Sequence, residues 1–319
     1  MIPEKAQPFL SIVIPILNEE ETILELYRRL MPVLETICRS EGENFENLEV
    51  IFVNDGSTDR SWSVISELNN KDHRIKGLCL SRNFGHHVAI TAGLDFSKGQ
   101  SVVLMDGDLQ DPPEEIPQLY SKLKEGYELV YGIRRQRHDP VLKKLTSNIF
   151  WHFLRRFSGV DMPQGQTMLR ILSRRLVDVM KEMKEYARFV HGMMAWPGFE
   201  STTVEVSHSP RTKGQSKYNI SKLFKLAFHA VTAFSIVPLR ISTYFGIFTA
   251  LISLVIGIYF IYLKIFFGIP LLGYSSIIVS VFFIGGIQLL MLGLFGEYLG
   301  RTYQEVQKRP LYIIKELIK

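Results

Sequence analysis

Two carboxylates separated by one glycine are the part of this sequence with the clearest chemical meaning. Asp106 and Asp108 follow the apolar run Val102–Met105, so a strand would carry both side chains to one edge of a sheet. There they could turn toward one hard divalent cation, Mg²⁺ or Mn²⁺, which prefers oxygen ligands and keeps positions free for substrate phosphates. An Asp-x-Asp pair is also common in surface turns. Its place after a strand and before Gln-Asp-Pro-Pro favours the metal site.

The elements that would position this pair alternate between apolar runs and a helical pattern. Leu10–Ile14, Val50–Val53, Ile75–Leu80 and Val102–Met105 are typical of strands, and apolar residues recur every three or four positions over Ile23–Ile37. This alternation predicts an α/β domain with a parallel sheet and helices on its faces. Ligands of such sheets bind beyond the carboxyl ends of the strands. The polar residues expected there are Asn18, Glu19, Asp55, Arg82, Asn83, Asp106 and Asp108.

Two long uncharged runs follow in the second half of the chain. Ile241–Leu263 contains no charged residue, and after Lys264 the next charge is Glu297. Both runs exceed the ~20 residues that a membrane-spanning helix requires. Glycine and proline interrupt the start of the second run, so its helix is expected at about 275–296. A pair of buried core helices is the alternative, but core helices of this length usually keep a polar face.

Charges beside these runs predict the orientation and the division of the chain. Lysine and arginine are frequent before the first run and after the second, whereas the connecting loop carries only Lys264. The positive-inside rule therefore places both termini in the cytoplasm, at an inner or plasma membrane. The start of the chain has no apolar signal core. The expected regions are a cytoplasmic domain (1–220), an interfacial amphipathic helix (221–239), two spans within 240–298 (about 241–263 and 275–296) and a basic cytoplasmic tail (299–319).

Composition excludes some classes of function and leaves others open. The net charge of +5 suits an anionic lipid surface or phosphate ligands, and no nucleic-acid motif accompanies it. Cys38 and Cys79 lack the spacing of a zinc site, and both are expected to be free thiols. The helix at 221–239 could contact a second subunit instead of the membrane surface.

Five motifs occur in the order found in one known family. They are Ser11–Glu20, Val53–Asp59, Ser81–Gly85, Asp106–Pro113 and Gly214–Tyr218. In this order they resemble glycosyltransferase family 2, and with two spans behind them the chain resembles its polyprenyl-phosphate glycosyltransferase branch. The resemblance implies a GT-A fold, a Rossmann-like domain for nucleotide sugars.

The resemblance also implies roles for individual residues. Asp55 would bind the base or ribose of the donor, although an acid at this position could also be an ordinary helix N-cap. A basic cluster before the first span would hold a lipid phosphate, although such residues usually form a solvated surface. The implied donor-nucleotide residues are Pro15, Asn18, Glu19, Asp55, Arg82, Asn83 and Asp106, and the implied metal ligands are Asp106, Asp108 and Gln110. The implied lipid-phosphate residues are Arg134, Arg211, Ser216, Lys217 and Tyr218. The implied catalytic residues are Asp106, Asp108, Arg134, Arg211 and Lys217.

The reaction implied is inverting transfer from a nucleotide sugar to a polyprenyl phosphate, undecaprenyl or dolichyl, with Mg²⁺ or Mn²⁺ as cofactor. A UDP-sugar is favoured, with a GDP-sugar as the alternative, and relatives suggest a homo-oligomer, a tetramer or dimer. Two rivals remain: a membrane glycosyltransferase with a hydroxyl acceptor, and a scaffold with a degenerate domain. One departure from the branch is Gln164, which stands where related bacterial members carry an acid.

Overall fold

A computed structural model describes residues 7–134, 163–186, 188–207, 237–267 and 273–319. The described residues divide into two compact units. The first combines the residues before 208 with the segment Pro310–Lys319, and the second contains the two long helices that lie between them in sequence.

The first unit contains eight strands and six helices. The strands are β1 (Leu10–Ile16), β2 (Leu48–Asn54), β3 (Ile75–Leu80), β4 (Ser101–Leu104), β5 (Leu129–Arg134), β6 (Gln166–Ser173), β7 (Ser201–Val206) and β8 (Ile314–Ile318). The helices are α1 (Ile23–Glu41), α2 (Ser61–Lys71), α3 (His86–Phe96), α4 (Ile116–Lys124), α5 (Arg174–Glu182) and α6 (Val190–Ala195).

All eight strands belong to one sheet, in the order β7-β5-β6-β4-β1-β2-β3-β8. The four strands expected from sequence, β1 to β4, are parallel to one another. The sheet as a whole is mixed, because β6 is antiparallel to β4 and β5, and β8 is antiparallel to β3. The two reversed strands, β6 and β8, begin at the end of the sheet where the strands before them in the chain, β5 and β7, finish. The α/β fold class is confirmed, and its wholly parallel form is corrected.

Helices cover both faces of the central strands. Every residue of β1 and β2 is buried, as expected for parallel strands between two layers. Pro15 does not end the first strand, since β1 continues to Ile16. Helix α1 buries the face that its spacing predicted, including Ile23, Leu30 and Leu34, and it ends at Gly42 in the left-handed conformation. Cys38 and Cys79 are free and buried.

The second unit contains α7 (Val237–Phe267) and α8 (Tyr274–Gln307). Both are long and apolar enough to cross a membrane, with windows of mean hydropathy 1.7 and 1.6. The expected spans lie within them, and α8 continues beyond the expected end at 296. Most of the expected interfacial helix at 221–239 lies outside the described residues, and its last three positions belong to α7.

The segment expected as a basic tail contains the strand β8. It follows the end of α8 and pairs with β3, which would otherwise be an exposed sheet edge. The last described residue of β7, Val206, pairs with the end of β5, and the first residue of β8 pairs with the end of β3. The chain therefore leaves and re-enters the sheet at the edge where the parallel strands end.

Candidate active site

The loops that follow β1 to β4 meet at this edge of the sheet. Adjacent parallel strands end side by side, so their loops become neighbours although they are far apart in sequence. The structure brings together in this way the residues expected to bind the donor and the metal. They are Pro15, Asn18, Glu19, Asp55, Arg82, Asn83, Asp106, Asp108 and Gln110.

The first and second loops are joined by Asn18. Its backbone has a φ of 57°, a conformation that asparagine tolerates better than most residues. Its Oδ1 accepts a hydrogen bond from the Thr58 amide at 2.8 Å, and its own amide donates to Ser57 Oγ at 3.0 Å. The Glu19 amide donates to Ser61 Oγ at 2.9 Å. The two loops therefore form one preorganised surface.

Asp55 connects the second loop to the third. Its side chain is only 3% exposed, and its two carboxylate oxygens accept the amides of Phe84 and Gly85 at 2.8 and 3.0 Å. Burial raises the pKa of Asp55, while the two amide hydrogen bonds oppose that rise. Asp55 does not cap the helix that follows it, because α2 begins at Ser61. Its carboxylate instead holds the loop Arg82–Gly85 in place.

Gly56 brings the same two loops into close contact. It has a φ of 72°, and a Cβ at this position would lie 2.5 Å from the Arg82 carbonyl carbon and the Asn83 amide nitrogen. Only glycine avoids that overlap while adopting a positive φ. The backbone beside Arg82 and Asn83 is therefore packed directly on the loop that carries Asp55.

The Asp106-Gly107-Asp108 loop lies against the end of β1. A Cβ on Gly107 would be 2.4 Å from Ile16 Cδ1, so the glycine permits this close approach. Asp108 Oδ1 accepts the Gln110 amide at 3.1 Å. Asp111 is buried, and its Oδ2 accepts the amides of Met168 and Leu169, both at 3.2 Å. The loop is thus tied to β1 on one side and to β6 on the other.

Oxygen ligands from Asp106 and Asp108 suit Mg²⁺ or Mn²⁺. Within the described part of the chain, no three His, Cys, Asp or Glu side chains converge as a complete metal site. Mg²⁺ is commonly held by one or two carboxylates together with substrate phosphates, so two aspartates are the expected protein contribution. The residues present therefore fit a cation that binds together with a diphosphate.

His86 adds a nitrogen to this site that the sequence motifs did not identify. It is the first residue of α3, and its Nε2 lies 3.6 Å from Asp106 Oδ1. Burial lowers the pKa of His86, and the charge of Arg170 lowers it further against an opposing effect of Asp108. The imidazole is therefore mainly neutral near pH 7 and can donate or accept one hydrogen bond at Nε2. The only sequence signal was its place after Gly85 in the third motif.

Arg170 places a buried positive charge close enough to interact with Asp106 and Asp111. Its Nε donates to the Met168 carbonyl at 3.3 Å, its Nη2 donates to the Thr167 carbonyl, and its guanidinium lies 5.4 Å from the Tyr131 ring centroid. Burial lowers the pKa of Arg170 to about 10, so the group stays charged at neutral pH. Arg170 lies outside the five motifs, and its interaction with Asp106 and Asp111 is electrostatic.

Two further histidines pack beside this arginine. The rings of His87 and His191 meet edge to face with centroids 5.4 Å apart. Their Nδ1 atoms are buried and have no hydrogen-bond partner among the described residues. Burial lowers the pKa of His87 to about 4, with smaller contributions from His86 and Arg170. Both imidazoles are therefore neutral at physiological pH.

Only one member of the expected lipid-phosphate cluster is described. Arg134 ends β5 at the same edge of the sheet, its side chain is exposed, and its amide donates to the Gly165 carbonyl at 3.1 Å. Gln164, the departure from the related bacterial pattern, is exposed beside that contact. The remaining members, Arg211, Ser216, Lys217 and Tyr218, lie outside the described residues.

Residues 11–182, more than half of the chain, match the model of glycosyl transferase family 2. The chain belongs to glycosyltransferase family 2. This family 2 chain is 41% identical to the uncharacterized glycosyltransferase YkcC of Bacillus subtilis over 96% of its own length and 93% of that protein. It is 39% identical to the SfII prophage-derived bactoprenol glucosyl transferase of Shigella flexneri, over 96% of its length and 97% of that protein. The family expected from the five motifs is confirmed.

A solved structure also resembles this glycosyltransferase at low identity. It is the glucosyl-3-phosphoglycerate synthase of Mycobacterium tuberculosis in complex with Mn²⁺, uridine diphosphate and phosphoglyceric acid. The identity is 19% and the TM-score 0.44, with 72% of this chain and 78% of the other covered.

Proposed function

We propose that the protein transfers a sugar from a nucleotide-sugar donor to a polyprenyl phosphate at a membrane surface. The observation that carries the proposal is the joining of four loops at one sheet edge around Asp106 and Asp108. It is supported by a relative, named a bactoprenol glucosyl transferase, that matches this chain over nearly its full length.

The first three loops are proposed to hold the nucleotide. Asp55 has both oxygens engaged by backbone amides, yet each carboxylate oxygen can accept a second hydrogen bond. It can therefore fix the loop Arg82–Gly85 and also accept from a base N–H or a ribose hydroxyl. Pro15, Asn18 and Glu19 are proposed to line the nucleotide site beside Asp55. UDP is the favoured nucleotide, and GDP is the alternative.

Asp106 and Asp108 are proposed to hold Mg²⁺ or Mn²⁺ against the donor diphosphate, with Gln110 beside them. When bound, the cation would neutralise the charge of the departing nucleoside diphosphate. His86 and Arg170 would keep Asp106 in one orientation, as residues behind metal ligands commonly do.

The acceptor is proposed to react without a dedicated base. A phosphate monoester has a second pKa of ~6, so its oxygen is already largely anionic at neutral pH. That oxygen forms a bond to the anomeric carbon from the face opposite the leaving group. The bond from that carbon to the diphosphate breaks with its electron pair, and the configuration inverts. Proximity and neutralisation of charge then supply most of the rate.

The basic residues would provide that neutralisation. Arg134 is exposed at the correct edge of the sheet. We assign the same role to Arg211 and Lys217, and we assign hydrogen bonding to the lipid phosphate to Ser216 and Tyr218. Gln164 in place of an acid is compatible with this scheme, since no proton needs to be removed from the lipid phosphate.

A membrane location is proposed from α7 and α8. The chain leaves the sheet after β7, passes through both helices and returns to the sheet as β8. An even number of crossings is therefore required if these helices span the bilayer. Two crossings keep the domain and Lys319 on one side, and the positive-inside rule makes that side cytoplasmic. Nucleotide sugars are available there. We retain a homo-oligomer as part of the proposal.

The experiment uses the purified full chain in detergent with undecaprenyl phosphate, a panel of UDP- and GDP-sugars, and detection of products by mass. A polyprenyl-phosphate sugar made only with added Mg²⁺ or Mn²⁺ is the expected result. Undecaprenol, which lacks the phosphate, is the matched control acceptor. Sugar transfer to undecaprenol would indicate a hydroxyl acceptor. A chain that neither binds a nucleoside diphosphate nor forms product would be a scaffold.

A further inference from the structure

The last strand of the sheet reaches the candidate donor site. β8 pairs antiparallel with β3, with Leu78 opposite Leu317 and Leu80 opposite Ile314. Because the two strands run in opposite directions, β8 begins where β3 ends. The first part of β8 therefore lies beside the loop that follows β3, which carries Arg82 and Asn83.

Side chains before and within β8 anchor it to helices on either side of β3. The Tyr312 hydroxyl donates to Asp95 Oδ2 on α3 at 2.9 Å, and Glu316 Oε2 accepts the Trp62 indole N–H from α2 at 2.8 Å. Tyr312 and Ile314 also pack against the apolar cluster that contains Leu78 and Leu80. Burial raises the pKa of Tyr312, and Asp95 raises it further, so the phenol remains a hydrogen-bond donor.

One backbone hydrogen bond connects this segment to the donor loop itself. The amide of Ser81 donates to the Ile313 carbonyl at 2.9 Å. Four residues later, the amide of Gly85 is held by Asp55. The loop Arg82–Gly85 is thus fixed by Ile313 on one side and by Asp55 on the other. Without the contact from Ile313, the loop would still be held by Asp55, by the close packing of Gly56 and by the start of α3, but not from the β8 side.

We propose that β8 and Tyr312 are positioning elements of the donor site. When β8 is docked on β3, the loop Arg82–Gly85 is held in the shape that receives the nucleoside diphosphate. When β8 is released, β3 becomes an exposed edge strand and its loop loses the attachment to Ile313. This inference rests on the proposed function only in taking a nucleoside diphosphate as the ligand.

The test compares three substitutions in the full chain. Tyr312→Phe keeps the ring and removes the bond to Asp95. Ile314→Pro removes a side chain that packs against the cluster of Leu78 and Leu80, and it fixes the backbone next to the Ile313 carbonyl. Tyr303→Phe is the matched control, because Tyr303 lies on α8 and is 64% exposed. Titration calorimetry with UDP and with GDP, each with Mn²⁺, measures affinity. Hydrogen exchange measures protection of the Ser81–Gly85 amides.

Ile314→Pro is expected to weaken nucleoside diphosphate binding by about tenfold, and Tyr312→Phe by about threefold. Both should speed exchange of the Ser81–Gly85 amides and leave the KM for the lipid within about twofold of the parent. Tyr303→Phe should match the parent in every measurement. If Ile314→Pro does not fold, Tyr312→Phe carries the test.

Two other outcomes separate the inference from the proposed function. Faster exchange of Ser81–Gly85 with unchanged nucleotide affinity would make β8 a purely structural strand and overturn the inference. Exchange that stays slow in both variants would also overturn it, since β8 would then not control the loop. A parent chain that binds neither UDP nor GDP would overturn the proposed function, and the inference with it.

Discussion

His86 Nε2 lies 3.6 Å from Asp106 Oδ1, where the loops after the third and fourth strands meet. The two residues come from different motifs, and the contact connects the proposed nucleotide loop to the proposed metal ligand. Arg170, which is completely buried, adds an electrostatic interaction with the same carboxylate. Asp106 therefore interacts with both an imidazole and a guanidinium.

Removing this imidazole should weaken the metal site. We expect His86→Ala to lower Mn²⁺ affinity in the presence of UDP by about 10-fold or more, the usual effect of losing a group behind a metal ligand. Electron paramagnetic resonance of free Mn²⁺ measures this without any turnover. His73→Ala is the matched control, because His73 is exposed and pairs with Glu46 instead. Equal Mn²⁺ affinity in the His86 variant and the control would show that His86 does not contribute to the metal site.

Asp108→Asn should nearly abolish transfer while the protein remains folded and inserted. The substitution keeps the shape of the side chain and removes one anionic ligand, so both cation and donor should bind less tightly. Turnover with a nucleotide sugar at saturating Mn²⁺ or Mg²⁺ is the measurement. Asp178→Asn serves as the control, since Asp178 is exposed on α5. Near-normal turnover by Asp108→Asn would contradict the metal assignment.

Acid should destabilise the domain through its buried histidines. The pKa of His87 falls from 6.5 to about 4 on folding, so between these values the unfolded chain binds more protons than the folded one. Stability is therefore lost as pH drops from about 6.5 toward 4, at up to about 1.4 kcal/mol per pH unit from His87. His191, whose pKa is also lowered by burial, adds to the loss in the same direction. His86 and Arg170 are the other titratable groups nearby.

Thermal unfolding in detergent at pH 7, 6 and 5 measures this slope. His87→Asn should flatten it, because the substituted side chain does not titrate in this range. The same slope in His87→Asn and in the parent would mean that His87 is not the source.

Arg134, Arg211 and Lys217 should determine lipid affinity. We expect Arg134→Ala, Arg211→Ala and Lys217→Ala each to raise the KM for the polyprenyl phosphate far more than the KM for the donor. Kinetics with each substrate varied in turn provide the comparison. We also expect no single Asp, Glu or His outside the donor and metal motifs to be indispensable. Finding one, with both substrates still bound, would refute the base-free scheme and reopen the case for a hydroxyl acceptor.

The return of the chain to the sheet makes a prediction about topology. A reporter that is active only in the cytoplasm should be active when fused after Lys319 and inactive when inserted near Gly268. The reason is that β8 must reach the same compartment as β3 in order to pair with it. The reverse pattern of activity would place the domain away from nucleotide sugars and contradict the orientation.

The sequence predicted well those features whose signals are local. The four parallel strands and α1 follow from short apolar runs and helical spacing, and the five motifs identified the family. Placement of Asn18, Asp55 and Asp106 at one edge followed from the rule that parallel strands end together.

Features that depend on distant contacts were not predicted. The carboxylate of Asp55 is held by amides of another loop, and His86 meets Asp106 across two motifs. Arg170 lies outside the five motifs, and its complete burial arises from the packing of β6 between β4 and β5. β8 was predicted only as part of a basic tail, because lysine and arginine are frequent after the second uncharged run and its partner strand is far away in sequence.

The order in which the ribosome makes these parts gives the pairing of β8 with β3 a temporal consequence. Trp62 and Glu316 are 254 residues apart, and both α7 and α8 are translated between them. The edge of β3 that pairs with β8 therefore stays uncovered until both long helices have been translated. A nascent chain that stalls within those helices keeps that edge open, and an open strand edge invites pairing with other chains. The sheet is thus complete only in chains whose helices α7 and α8 have already been synthesised.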